Sequence, residues 1–222
     1  MEWYDSTKGN GMIILIGGEK GGTGKSTIAM NLAAMQAIQG NDVLLVDTDK
    51  QATATYWAIT RDENESLIRV PCVRKTGGKI HRELADMRMK FKVIIIDAGG
   101  QDSVELRSAM LGAEKFYVPI RPSQFDAWTL ENINQMLEDA RVYNEGLQSF
   151  AFLNLASSHP RASEIEEARK YILEYPNLIL SESVIRDRII FRKAAKEGLS
   201  VYEMDDIKAK AEIESLYKEV FS

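Results

Sequence analysis

Lys20-Gly21-Gly22-Thr23-Gly24-Lys25-Ser26 is the stretch that decides the fold. The apolar run Met12–Ile16 precedes it. After it, Ser26–Gln39 carries Ile28, Leu32 and Met35 at helical spacing, with Gly40 just past the end. Strand, glycine-rich loop and helix in that order make a phosphate cradle. Backbone N–H groups of the loop and of the helix N-terminus converge on an anion, and the helix dipole favours negative charge there. Gly21, Gly22 and Gly24 permit the tight backbone and its close approach to phosphate. Lys25 is expected to reach the β- and γ-phosphates, and the Ser26 hydroxyl to ligate Mg²⁺. The strict P-loop pattern asks for glycine where Glu19 stands, so a rigid pattern search passes over this segment.

Working outward, short apolar runs alternate with helical patterns. The runs are Met12–Ile16, Val43–Val46, Val93–Ile96, Phe116–Ile120, Phe150–Leu153 and Leu178–Leu180. Leu130–Tyr143 and Ala162–Tyr175 read as helices, the second closed by Pro176. This alternation predicts an α/β fold: a mainly parallel twisted sheet flanked by helices on both faces. Residues 1–11 read as a short polar extension and residues 12–222 as a single domain.

Two acids stand at the carboxyl ends of predicted strands, where ligands bind in open α/β sheets. Asp97 ends Val93–Ile96 and is placed to hold Mg²⁺, the second half of a P-loop site. Asp47 ends Val43–Val46 in Asp47-Thr48-Asp49. Either acid alone also reads as a strand-end cap with no chemistry; together behind a glycine-rich loop they favour the ligand reading. Asp97-Ala98-Gly99-Gly100 has the glycines that a γ-phosphate-sensing loop needs to move.

Composition sets bounds. The 222 residues are 45% hydrophobic and 27% charged, the mix of a globular protein. No apolar run approaches the roughly 20 residues of a membrane span. The single cysteine, Cys72, excludes an internal disulfide and a CxxC pair, and a cytoplasmic protein is expected. The net charge of −5 argues against a chain coated in nucleic acid. Two stretches are nonetheless locally basic. One holds Arg186, Arg188, Arg192, Lys193 and Lys196; the other runs from Arg69 to Arg82. Each is either a solvated face or a contact for phosphates.

Taken together, these residues resemble the deviant Walker A ATPases of the ParA/MinD group. That family's loop, Lys-Gly-Gly-x-Gly-Lys-Thr/Ser, is matched by Lys20 to Ser26. Its Asp-x-Asp-x-Gln strand end is matched by Asp47, Asp49 and Gln51, and its further Asp-ended strand by Asp97. The resemblance spans nearly the whole chain and is closest to the small ParA-type DNA partition ATPases. It implies ATP and Mg²⁺ as cofactors, ATP hydrolysis, and a homodimer formed with ATP in which Lys20 reaches the partner's site. It implies too that Asp47 positions the attacking water, that Thr23 and Thr27 join the nucleotide site with Thr27 at the α-phosphate, and that Asn154 meets the adenine. The implied partners are non-specific DNA, bound through Arg186, Arg188, Arg192, Lys193 and Lys196, and a small centromere-binding protein of the ParB type. The implied location is the nucleoid.

Alternatives within the resemblance are a positioning ATPase for a protein assembly and a MinD-like membrane regulator. The segment Asp205–Phe221 places Ile207, Ile213, Leu216, Val220 and Phe221 on an apolar stripe, but Glu212, Glu214 and Glu219 offset its lysines. Core packing is therefore expected for it rather than membrane contact. Glu19 and Lys50 depart from the family pattern, Lys50 standing where a proline is usual.

Overall fold

Successive residues of β1 (Met12–Ile16) point to opposite faces, and both faces are covered. Ile14 and Ile16 enter one hydrophobic core, Ile13 and Leu15 the other. The same alternation runs through β2 (Val43–Asp47) and β4 (Val93–Asp97), which explains their near-continuous apolar sequences. The computed structural model describes residues 11–100, 102–122, 127–158 and 162–222; of the polar extension expected at residues 1–11, all but Gly11 lies outside them.

The remaining strands are β3 (Cys72–Arg74), β5 (Lys115–Ile120), β6 (Gln148–Ala156) and β7 (Ile179–Arg186). The seven strands form one parallel sheet in the order β3-β2-β4-β1-β5-β6-β7. Helices α1 (Lys25–Ile38), α2 (Thr53–Asp62), α7 (Ile189–Lys196) and α8 (Ile207–Val220) contribute to the first core. Helices α3 (Ile80–Arg88), α4 (Val104–Met110), α5 (Ala127–Arg141) and α6 (Ala162–Ile172) contribute to the second. The doubly covered parallel sheet is the fold that the sequence predicts.

The chain starts in the middle of the sheet, builds β2 and β3 to one side, returns through β4 and continues outward through β5, β6 and β7. The order therefore reverses at β1, and ligands bind at such a reversal, beyond the carboxyl ends of the strands. The loop after β1 lies there.

All six predicted strands are present, most with longer bounds; β3 and helices α2, α3, α4 and α7 were not predicted. The last helix packs as expected: Ile213, Leu216 and Val220 are fully buried, and among the described residues no helix is long and apolar enough to cross a membrane. Ile207 is the exception to its stripe. It stands in the first turn of α8 and is 83% exposed, so the buried face starts later than the sequence pattern has it.

Candidate functional site

The loop from Gly17 to Gly24 leaves β1 and turns directly into α1. Gly22 and Gly24 have φ of 73° and 87°, left-handed values that favour glycine. Around Gly21 and Gly22 a side chain would meet only open space, so backbone alone faces the site. The N-terminus of α1 has no side-chain cap and no acidic residue in its first turn. Its orphan N–H groups and the positive end of its dipole are left for an anion from outside the chain.

That end of the sheet opens into a cavity of about 580 Å³, whose wall includes Gly21, Gly24, Lys25, Ser26, Thr27 and Asp49. Lys25 is 6% exposed and donates from Nζ to the Lys20 carbonyl at 2.7 Å. Burial lowers its pKa, against the opposing pull of Asp97 and Asp49. A lysine folded back on its own loop is in reach of whatever the loop holds. Lys20, half-buried, supplies the carbonyl that Lys25 engages.

Register brings the acids together. Ile16, Asp97 and Asp47 are successive partners across β1, β4 and β2. Asp97 is fully buried, and neither carboxylate oxygen has a hydrogen-bond partner. Burial pushes its carboxyl up to about 7; neighbouring Asp47 and Asp49 add to the rise, while Ser26 and Lys25 oppose it. An unpartnered buried carboxylate is costly, and a cation bound beside it removes the cost. Ser26 and Asp97 fit Mg²⁺, which takes only one or two protein groups and completes its shell with water and substrate phosphates. No cluster of three or more His, Cys, Asp or Glu exists among the described residues to hold a metal by itself.

The structure separates the two acids of Asp47-Thr48-Asp49. Asp47 is fully buried: its Oδ1 accepts from the Asp49 N–H at 3.0 Å, and its Oδ2 from the Thr55 N–H at 2.8 Å and the Thr55 hydroxyl at 2.7 Å. From the end of the preceding strand it caps α2, and it is not among the residues lining the cavity. Asp49, two residues on, stands on the cavity wall beside Gly99. Asp49, the other acid of the same motif, is the one on the cavity wall, and the sequence reading gave it no role of its own. Gly100 allows the loop after β4 to press on the phosphate loop, since a side chain there would come within 2.9 Å of Gly21 and Lys20 backbone atoms.

Asn154 donates from Nδ2 to the Thr23 carbonyl at 2.6 Å, and its Oδ1 is buried without a partner. Glu19, the departure from the strict pattern, accepts from Asn132 of α5 at 2.8 and 3.0 Å.

The basic candidates divide. Arg188 forms a two-pronged pair with Glu212 of α8, and Arg186 lies 3.8 Å from the same carboxylate while donating to the Ser157 carbonyl. Arg192 pairs with Asp187 at 2.7 Å but remains 64% exposed. Lys193 and Lys196 are exposed along α7. In the other stretch, Arg69 pairs with Asp62 and Lys75 with Glu83.

The chain is similar to known proteins in sequence and in fold. Maintenance of carboxysome distribution protein A of Halothiobacillus neapolitanus is 27% identical over 83% of this chain and 84% of its own. Two solved structures share the fold at lower identity. A plasmid partition protein from Borrelia burgdorferi matches at 18% identity over 95% of this chain and 98% of that one, with a TM-score of 0.66. The ATP complex of a Cyanothece McdA variant matches at 16% identity over 96% and 97%, with a TM-score of 0.70. Residues 14–201 match the CobQ/CobB/MinD/ParA nucleotide-binding domain, and the chain belongs to that family.

Proposed function

We propose that the chain is a Mg²⁺-dependent ATPase that dimerises with ATP and uses the cycle to distribute cargo, a plasmid or chromosome segment in the first instance, along DNA. The observation that carries the nucleotide reading is the fully buried Asp97 carboxylate with no partner, facing Ser26 and Lys25 at the mouth of the β1 loop. In this reading the loop amides and Lys25 bind the β- and γ-phosphates, Thr27 lies at the α-phosphate, and Ser26 and Asp97 hold Mg²⁺. The metal, when bound, neutralises phosphate charge. Asp49 orients the attacking water, and Lys20 of one copy approaches the phosphates of the other, where a further cation offsets charge developing in phosphoryl transfer. The orphaned Oδ1 of Asn154 is an acceptor and suits the adenine amino group.

A positioning ATPase for a protein assembly is the second reading. The carboxysome-distribution relative favours it, and so does the pairing of Arg186 and Arg188 within the fold. Of the first basic stretch, Arg192, Lys193 and Lys196 are the residues left exposed for a DNA surface. A ParB-type partner belongs to the first reading.

Phosphate release and light scattering with ATP, ADP and no nucleotide test the core of the proposal. Asp49→Ala is expected to bind ATP and dimerise but to lose most turnover. Asp47→Ala is expected to lower the melting temperature, because α2 loses its cap. Normal turnover in Asp49→Ala would remove that residue from the mechanism.

A further inference from the structure

Asn154 sits at an irregular point of an otherwise regular sheet. The β6–β7 register slips between Leu153 and Ala156, and Leu155 has a φ of 53°. Left-handed backbone is strained at a leucine, and bulges near sites commonly re-aim a side chain. Here the side chain re-aimed is Asn154. Its strand neighbour β5 ends at Ile120, opposite Leu153, so Asn154 is the first β6 residue clear of β5. From there the amide reaches the loop that follows β1, two strands away.

The contact is tight on two sides. Nδ2 lies 2.6 Å from the Thr23 carbonyl oxygen. A Cβ at Gly24 would fall 2.4 Å from the same nitrogen, so the amide lies flush against backbone that only glycine leaves open. The Thr23 carbonyl and the Gly24 N–H belong to one planar trans peptide and point in opposite directions. Holding the carbonyl toward Asn154 turns the Gly24 N–H away from it, and Gly24 lines the cavity.

We propose that Asn154 is a positioning residue for phosphate binding: its amide, aimed by the β6 bulge, pins the Thr23 carbonyl and sets the loop's N–H groups in their receptive orientation before any nucleotide arrives. This rests on the phosphate-binding reading of the loop and assigns Asn154 a task separate from any contact with a base. The orientation of the amide follows from the contact, because a carbonyl accepts only from the NH₂ end. A loop fixed in advance binds without a further ordering cost.

The test is a titration of Asn154→Ala and Asn154→Asp against ATP and ITP, both with Mg²⁺. ITP lacks the 6-amino group that a base contact would read. A brace predicts that both nucleotides weaken by a similar factor, about tenfold, as expected for losing one buried hydrogen bond. If ATP weakens while ITP is unchanged or improves, Asn154 reads the base alone and the proposal is overturned. Amide exchange over residues 21–26 in the nucleotide-free protein gives a second reading, independent of nucleotide. Faster exchange in the variants supports the brace, and unchanged exchange in both rejects it. Asn154→Asp conserves volume and carries the comparison if Asn154→Ala unfolds. Failure of the parent protein to bind either nucleotide would instead reject the phosphate reading, leaving the exchange result to judge the brace.

Discussion

The cavity at the strand ends and the basic corner where β7, α7 and α8 meet are both dense in charge, yet they treat it oppositely. In the cavity, Asp97 is sealed from water with no partner, and the first turn of α1 carries no acid to answer its dipole. At the corner, Glu212 answers Arg186 and Arg188, and Asp187 answers Arg192. Unanswered charge is costly in a folded protein and persists where a ligand completes it. Answered charge is already part of the structure. From sequence the corner has the larger cluster; in three dimensions the cavity has the larger unmet demand.

The largest effect is expected from Lys25→Ala, which keeps the loop amides and removes the buried cation. ATP affinity should fall on the order of a hundredfold, read by calorimetry. Unchanged affinity would put the cavity in the same class as the corner.

Asp97→Asn sharpens the contrast because it should act in two directions. Without metal or nucleotide it removes the carboxylate that burial penalises, so the melting temperature should rise by about 2 °C or more. With Mg²⁺ it should lose the added nucleotide affinity that the metal gives the parent. The sign of the pH effect follows. The folded carboxyl, at about 7, holds a proton that the unfolded one releases at its ordinary value. The metal-free parent should therefore lose stability as pH rises through that interval, while the variant shows no such slope. Equal melting curves for parent and variant would mean that Asp97 is answered after all.

The smallest effects belong to the corner. Lys193→Glu with Lys196→Glu should leave ATP binding unchanged and weaken DNA binding in the ATP state. The salt slope should become shallower by about 0.9 for each phosphate no longer neutralised. Arg188→Ala should lower the melting temperature, since Glu212 loses its two-pronged partner, and change the slope little. A larger DNA effect from Arg188→Ala than from the lysine pair would reverse the division drawn between structural and free cations.

Much of the fold was legible because strands buried on both faces are written as apolar runs, and six of the seven were read from them. The missing β3 is three residues long and only partly buried, too brief for any period. Helix α2 escaped for another reason. Its N-cap, Ala52, is left-handed and has no side-chain acceptor, and the cap comes from Asp47 on β2 through Thr55. A cap delivered across space leaves no signature beside the helix it starts. In sequence an acid at a strand end reads alike whether it faces a ligand or a helix, and the Asp47 carboxylate faces α2. The partners of Arg186 and Arg188 lie more than twenty residues away in α8, and charge counting along the chain could not pair them.

The glutamates of α8 also guard a border. Glu219 accepts from the Glu182 N–H and Glu212 from the Arg186 N–H, both on β7, the outermost strand on that side of the sheet. An outermost strand with bare amides is a template on which a neighbouring molecule can add its own strand. With these two amides engaged, lateral growth from copy to copy is discouraged along that margin. Loosening α8 would bare these two amides to an incoming strand.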